Sequence, residues 1–243
     1  VIDSHAHLDA FPEAGLMRLL VRARRGGVGA ILAPGVDLAT SQRCVALAQR
    51  FSRSRQGENP RVLAAVGVHP AFLSAPLDGA TLTVLRSLVS APGVVAVGEV
   101  GLDAGGPSPS LQVEAFRLLL RLAREVDLPV VLHGEGETEA FLSIVEQEGV
   151  ARRGAVLHYF TGDARLARRC LKLGLHLSVG RPLVRRPRLQ RVVRELHLDR
   201  LLLETDAYQM QGREPTQVEP KELPRMAQRV AQARRASRRR WLA

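Results

Sequence analysis

The sequence predicts an α/β chain that folds as one TIM (β/α)8 barrel, a single domain over residues 1–243. Three observations lead there: eight short apolar runs, stretches of helical period between them, and histidines and carboxylates gathered where the runs end. The length agrees, because a single α/β barrel typically takes about 250 residues.

The apolar runs cover residues 1–4, 30–35, 62–68, 94–100, 129–132, 155–157, 175–179 and 200–204. Each is rich in Val, Leu, Ile or Ala and is bounded by Gly, Pro or polar residues, as strands buried on both faces of a parallel sheet are. Between the runs, Leu16, Leu19, Leu20 and Ala23 share one helical face, as do Cys44, Val45, Leu47 and Ala48. Phe116, Leu119, Leu120 and Ala123 repeat the pattern, and so do Phe141, Ile144 and Val145. Helix caps are expected at Thr40-Ser41 and at Asp163. Gly26-Gly27-Val28-Gly29 precedes a strand, so it reads as a helix stop and not as a phosphate loop. No Ser/Gly linker or shift of composition divides the chain. Beyond Asp206 the stretch 209–220 is polar and irregular; a last helix over about 222–235 follows, and a basic tail at about 234–243 is expected to be solvated.

Hydrophobic residues make up 46% of the chain, enough for a large core, which excludes a disordered protein. Aromatics at 4% argue against a surface built mainly of stacked bases. No apolar run approaches the roughly 18 residues of a membrane span. The first residues have neither a basic n-region nor an apolar h-region, so no signal peptide is expected. The start at Val1 in place of Met is read as the loss of a short N-terminal piece. Cys44 and Cys170 lie far apart on apolar helix faces and read as core thiols, and a reducing cytoplasm is the expected location. Thirty-five basic residues against 24 acidic ones give a net charge of +11, and all the basic ones but Lys172 and Lys221 are arginine. Such a surface favours polyanions; arginine-rich codon usage would give the same composition.

In a parallel barrel the chemistry sits at the C-terminal ends of the strands. His5 and His7 end the first run at alternate positions, so their side chains point the same way. His69 ends the third run, Glu99 and Asp103 the fourth, His133 the fifth, His158 the sixth and Asp206 the eighth. His176 opens the seventh run and His197 precedes the eighth, so both fall at the opposite face and read as structural or surface residues. Crowding so many imidazoles and carboxylates together is costly unless a cation compensates. The donor set suits Zn²⁺, Mn²⁺ or Fe²⁺, with Mg²⁺ where waters complete the shell.

Six stretches stand in a recognisable order: DSHAHLD at 3–9, GVHP at 67–70, GEVGLD at 98–103, LPVVLH at 128–133, LHYFTG at 157–162 and LLLETDA at 201–207. In these the chain resembles the TatD family of metal-dependent deoxyribonucleases, within the amidohydrolase-like barrels. The resemblance implies two divalent metal ions (Mg²⁺, Mn²⁺ or Zn²⁺). His5, His7 and Asp206 would hold one, His133 and His158 the other, and Glu99 would bridge them. Two such ions about 3.5–4 Å apart activate a water and stabilise a leaving oxygen. Asp206 is then the candidate to orient or deprotonate that water. His69, outside the ligand pattern, would contact the scissile phosphate or stabilise charge in the transition state.

Substrate contacts are expected from His69, Asp103, Glu135 and Arg181. The chain departs from the family pattern at Ala104, where an aromatic is usual, at Gly134-Glu135, where Ser-Arg is usual, and at Val218, where an Asn-x-Pro signature begins. Arg181, Arg185, Arg186 and Arg188 follow the seventh run. They are either phosphate ligands or the basic face of an ordinary helix that continues through Arg191 and Arg194. The leading expectation is a deoxyribonuclease acting on single-stranded ends or damaged DNA, monomeric by default and without a membrane partner. A metal-dependent amide, ester or lactone hydrolase of small molecules is the alternative, favoured by Glu135. A non-catalytic, metal-bearing partner protein is a second.

Overall fold

The computed structural model describes residues 1–52, 57–136, 138–208 and 218–238. Its strands are β1 (Ile2–Asp3), β2 (Ala30–Pro34), β3 (Arg61–Val66), β4 (Val94–Asp103), β5 (Val130–Glu135), β6 (Ala155–Leu157), β7 (Leu175–Val179) and β8 (Leu201–Leu203). They pair in sequence order and every neighbouring pair is parallel. Helices α1 (Glu13–Arg25), α2 (Leu38–Arg50), α3 (Gly79–Val89), α4 (Pro109–Glu125), α5 (Thr138–Glu148) and α6 (Ala164–Lys172) each join one strand to the next. Two helices follow β7: α7 (Pro182–Arg185) and α8 (Pro187–Glu195). Each begins with proline, whose missing N–H costs nothing at a first helical position. The last helix, α9, is Leu223–Arg238. This is the TIM barrel expected from the sequence.

The faces read from periodicity are the buried ones. Leu16, Leu19, Leu20 and Ala23 of α1 and Ala115, Phe116, Leu119, Leu120 and Ala123 of α4 turn inward. The Phe116 and Phe141 rings stack 5.5 Å apart between α4 and α5. Asp163 caps α6 as expected, accepting from the Leu166 N–H. The cap of α2 is a correction. Asp37, not Thr40-Ser41, is the N-cap: its carboxylate accepts from the Thr40 N–H, while the Thr40 hydroxyl accepts from the Asp37 N–H. Thr40 therefore occupies the third helical position of a reciprocal capping box, and the hydroxyl of Ser41 is buried against the backbone of Gly67. Gly26 and Gly27 end α1, Gly27 with a φ of 91° that suits glycine.

The basic tail needs a second correction. Arg235 is exposed, as expected, but the half-buried Arg234 is docked: its guanidinium donates to the carbonyls of Val193 and Leu196, which the end of α8 leaves without helical partners. Residues 239–243 of the expected tail, and 209–217 of the polar stretch before α9, lie outside the described residues. Among the described residues no helix is long and apolar enough to cross a membrane.

The ring closes between β8 and β1 through a short seam, not a regular ladder. Ser4 N–H donates to the Leu203 carbonyl, Asp206 N–H to that of His5, and His7 N–H to that of Ala207. Beneath them the fully buried Asp3 carboxylate accepts from the Thr205 N–H at 2.9 Å and from its hydroxyl at 2.6 Å. The seam fixes the strand ends that carry His5, His7 and Asp206.

On the outer layer, the Glu148 carboxylate at the end of α5 accepts from Arg117 and Arg121 of α4. These hydrogen bonds, Arg121 first, hold it down to about 2, below the ordinary carboxylate range. A depressed acid contributes stability that is fully present above its unfolded pKa of 4.5 and is lost as pH falls toward 2. Glu148→Gln is therefore expected to cost about 1–2 kcal/mol at pH 7, where charge-assisted bonds on a partly exposed surface are lost. Urea unfolding at pH 7 and pH 3 checks this: the difference between the two proteins should shrink at the lower pH.

Candidate metal centre

The C-terminal ends of the strands bring together His5, His7, His69, Glu99, His133, His158 and Asp206. Glu99 sits at the middle because β4 is irregular. Val97 pairs with Val130 but Val100 with Leu132, so β4 spends one extra residue against β5. Such a bulge re-aims a side chain, and here it turns Glu99 inward, where it is 2% exposed. Glycine is required beside it. A Cβ on Gly101 would lie 1.8 Å from the His133 carbonyl oxygen, and one on Gly67 would lie 2.7 Å from the Gly98 backbone. The glycines of GVHP and GEVGLD thus let three strands close in around one carboxylate.

The two oxygens of Glu99 face different partners. Oε2 lies 3.2 Å from His5 Nε2 and 3.7 Å from His7 Nε2. Oε1 lies 2.6 Å from His158 Nε2, 3.0 Å from His133 Nδ1 and 3.4 Å from His69 Nε2. Asp206 Oδ1 completes the first side, 3.6 Å from His7 Nε2 and 3.9 Å from His5 Nε2. The imidazole nitrogens converge in pairs, His5 and His7 at 3.3 Å and His133 and His158 at 3.1 Å.

Second partners fix several rings. Asp103 Oδ2 lies 3.0 Å from His133 Nε2, which places the proton there and leaves the Nδ1 lone pair aimed at the centre. Asp103 Oδ1 accepts from the Gly105 N–H. Asp103, expected at the substrate, thus stands behind His133. Nδ1 of His69 accepts from the Ala71 N–H at 3.1 Å, so its Nε2 bears hydrogen and points toward Glu99 as a donor. That tautomer suits contact with an anionic oxygen and leaves no lone pair for a metal.

The electrostatics ask for positive charge at the middle. Burial lowers the pKa of His5 to about 4, with His158 adding to the effect, and burial likewise brings His69 to about 4. Both are neutral imidazoles at neutral pH. Burial by itself would raise Glu99, but His158 and His5 outweigh it and hold the carboxyl well below its usual range. Burial also opposes a proton on His158, yet Glu99 keeps that pKa up at about 9. A cation between these groups satisfies the same demand. The donor set therefore fits metal ions: His5, His7 and Glu99 offer atoms within 4.8 Å of one another, as do His5, His158 and Asp206.

Sequence reading missed two residues here. Glu204, fully buried, accepts from the Tyr159 N–H at 2.5 Å and lies 3.8 Å from His158 Nδ1. Asp3 anchors the seam under His5. Both are interior carboxylates whose partners lie far away in the sequence, Thr205 being 202 residues from Asp3 and Tyr159 45 from Glu204; the ETD tripeptide offered the only local signal for Glu204. His176 lies on β7 with its ring near Gly154, and His197 precedes a short 3-10 turn before β8, both away from the cluster.

A cavity of 530 Å³ opens from His133, His158 and Asp206 and is lined also by Glu135, Tyr159, Arg181 and Tyr208. Glu135, at the end of β5, and Arg181, at the start of α7, are both exposed.

Residues 2–241 match the family model described as TatD related DNase. The chain belongs to the TatD family. It is accordingly a metal-dependent hydrolase. A relative from Bacillus subtilis, "Uncharacterized metal-dependent hydrolase YabD", is 34% identical over 85% of this chain and 79% of its own length. The "3'-5' ssDNA/RNA exonuclease TatD" of Cronobacter turicensis is 36% identical over 88% and 82% respectively. The crystal structure of YjjV, a TatD homologue from Escherichia coli, superposes with a TM-score of 0.83 at 30% identity, covering 96% of this chain and 89% of that one.

Asp103→Ala is expected to release His133 and weaken metal affinity by about 10–100-fold. Calorimetric titration of the metal-free protein with Mn²⁺ measures it, and unchanged affinity would remove Asp103 from this role.

Proposed function

We propose that this chain is a two-metal phosphodiesterase acting on DNA, with single-stranded ends as its substrate. One observation carries the reading: Glu99 turns one oxygen toward His5 and His7, which Asp206 also approaches, and the other toward His133 and His158. A carboxylate so placed would bridge two ions, one beside each nitrogen pair. His5, His7 and Asp206 would hold the first, His133 and His158 the second. Bound ions of this kind (Mg²⁺, Mn²⁺ or Zn²⁺) polarise the phosphoryl group and lower the pKa of water.

The chain's own residues supply the rest. Asp206 is a partly exposed acid of the cluster, at 20%, and faces the cavity. It orients the attacking water and accepts its proton. His69 donates through Nε2 to a non-bridging phosphate oxygen as charge grows there. Arg181, on the cavity wall, binds a neighbouring phosphate. The name of the Cronobacter relative, an exonuclease of single-stranded DNA and RNA, supports this substrate class.

Glu135 favours a second reading. It places a carboxylate on the wall of the same cavity, 530 Å³ in volume, where a phosphate chain is repelled and a small neutral ester or lactone is not.

With Mn²⁺ or Mg²⁺ the protein is expected to degrade labelled single-stranded DNA, and Glu99→Ala or chelation should lower the rate at least about a thousandfold, the scale of a lost catalytic group. Intact DNA under these conditions, together with Glu99-dependent hydrolysis of a lactone panel, would move the chain to the second reading.

A further inference from the structure

A second cavity, of 370 Å³, adjoins the first. Tyr159, Arg181 and Arg186 line both, so the two form one groove leading from the metal centre over α7 to the start of α9. Its outer part is walled by Arg185, Arg225 and Glu222.

The arginines of this groove are not tied to carboxylates, unlike several on the outer helices. Arg22 pairs with Glu219, Arg86 with Glu125, Arg117 and Arg121 with Glu148, Arg153 with Asp127 and Arg169 with Glu139. Among the described residues, Arg181, Arg185, Arg186 and Arg225 make no such pair, although Glu222 lies on the same wall. All four are exposed. Unpaired guanidinium groups in a concavity focus positive potential outward, and their planar forks match phosphate oxygens. The chain has only two tyrosines, Tyr159 and Tyr208, and both line the inner cavity, where each is partly exposed. An aromatic face beside a row of cations is the usual platform for a single strand, base on ring and phosphate on guanidinium. The opposite, β5 side of the inner cavity carries Glu135, so a polyanion is steered toward the arginines on the β7 side.

We propose that this groove is an extended subsite for single-stranded DNA. It would hold at least two nucleotides beyond the scissile bond: one phosphate on Arg181 and Arg186, the next on Arg185 and Arg225, and a base on Tyr159. The proposal rests on the phosphodiesterase reading above. It makes the enzyme selective for oligonucleotides over dinucleotides and simple diesters.

The test compares three substrates with Mn²⁺-loaded enzyme: bis(p-nitrophenyl) phosphate, a dinucleotide and a single-stranded 12-mer. Arg185 and Arg225 lie outside the inner cavity, so the double variant Arg185→Ala/Arg225→Ala should leave kcat and KM for the two short substrates unchanged, which also shows that it folds. For the 12-mer, KM should rise about tenfold or more with kcat little altered. The slope of log(kcat/KM) against log salt should become shallower by about 0.7 for each phosphate the variant no longer neutralises. Tyr159→Ala should raise KM for the 12-mer and Tyr159→Phe should restore it. A 12-mer KM that the double variant leaves unchanged, or a rise equal on all three substrates, overturns the subsite while the phosphodiesterase reading stands. Wild-type enzyme that cleaves none of the three overturns both.

Discussion

A carboxylate that is 2% exposed inside a barrel stays an anion only where donors or cations surround it. Glu99 meets that condition through imidazoles from β5 and from the segments just after β1, β3 and β6, which converge on it from two sides. Much else in the upper barrel follows from holding it there. The irregular β4, the glycines at 67, 98 and 101, and the Asp103 contact that aims His133 all serve one position. Move Glu99 outward by one residue of register and the nitrogen pairs no longer share a partner, because each step along a strand reverses the face.

The barrel was legible because its signals are local. Buried parallel strands are continuous apolar runs, and the polar residue that ends each run stands out against them; the strands at 155–157 and 175–179 have the boundaries that composition gives. Other features were hidden for physical reasons. Thr40 and Ser41 look like caps in isolation, and only the chain's path shows that Asp37 caps the helix while Ser41 packs on Gly67. Two helices after β7 reflect Pro187, which ends one turn and begins another. Asp3, Glu204 and the role of Arg234 depend on partners across the fold, and no window of sequence contains both halves of those contacts.

Composition set the net charge of +11 but not its use. The structure divides the arginines by what they touch. Those bound to Glu148, Glu139 or Glu219 tie the outer helices together, and their charge is largely neutralised locally. Arg181, Arg185 and Arg186, near α7, have no such partner among the described residues, and they stand together in one groove beside the site. The same holds for the aromatics: 4% is too few for a broad stacking surface, yet both tyrosines stand at one cavity.

The seam between β8 and β1 has a bearing on how the protein is made. The proposed ligands of one ion come from both ends of the barrel, His5 and His7 from just beyond its first strand and Asp206 from just beyond its last. During synthesis the histidines leave the ribosome early and wait for nearly the whole chain before the carboxylate arrives. Closing so large a loop costs entropy, and ion binding would offset that cost only once the final strand has docked. Metal uptake and ring closure are then a single late event. A truncated or misfolded chain would then lack an assembled site for hydrolysis.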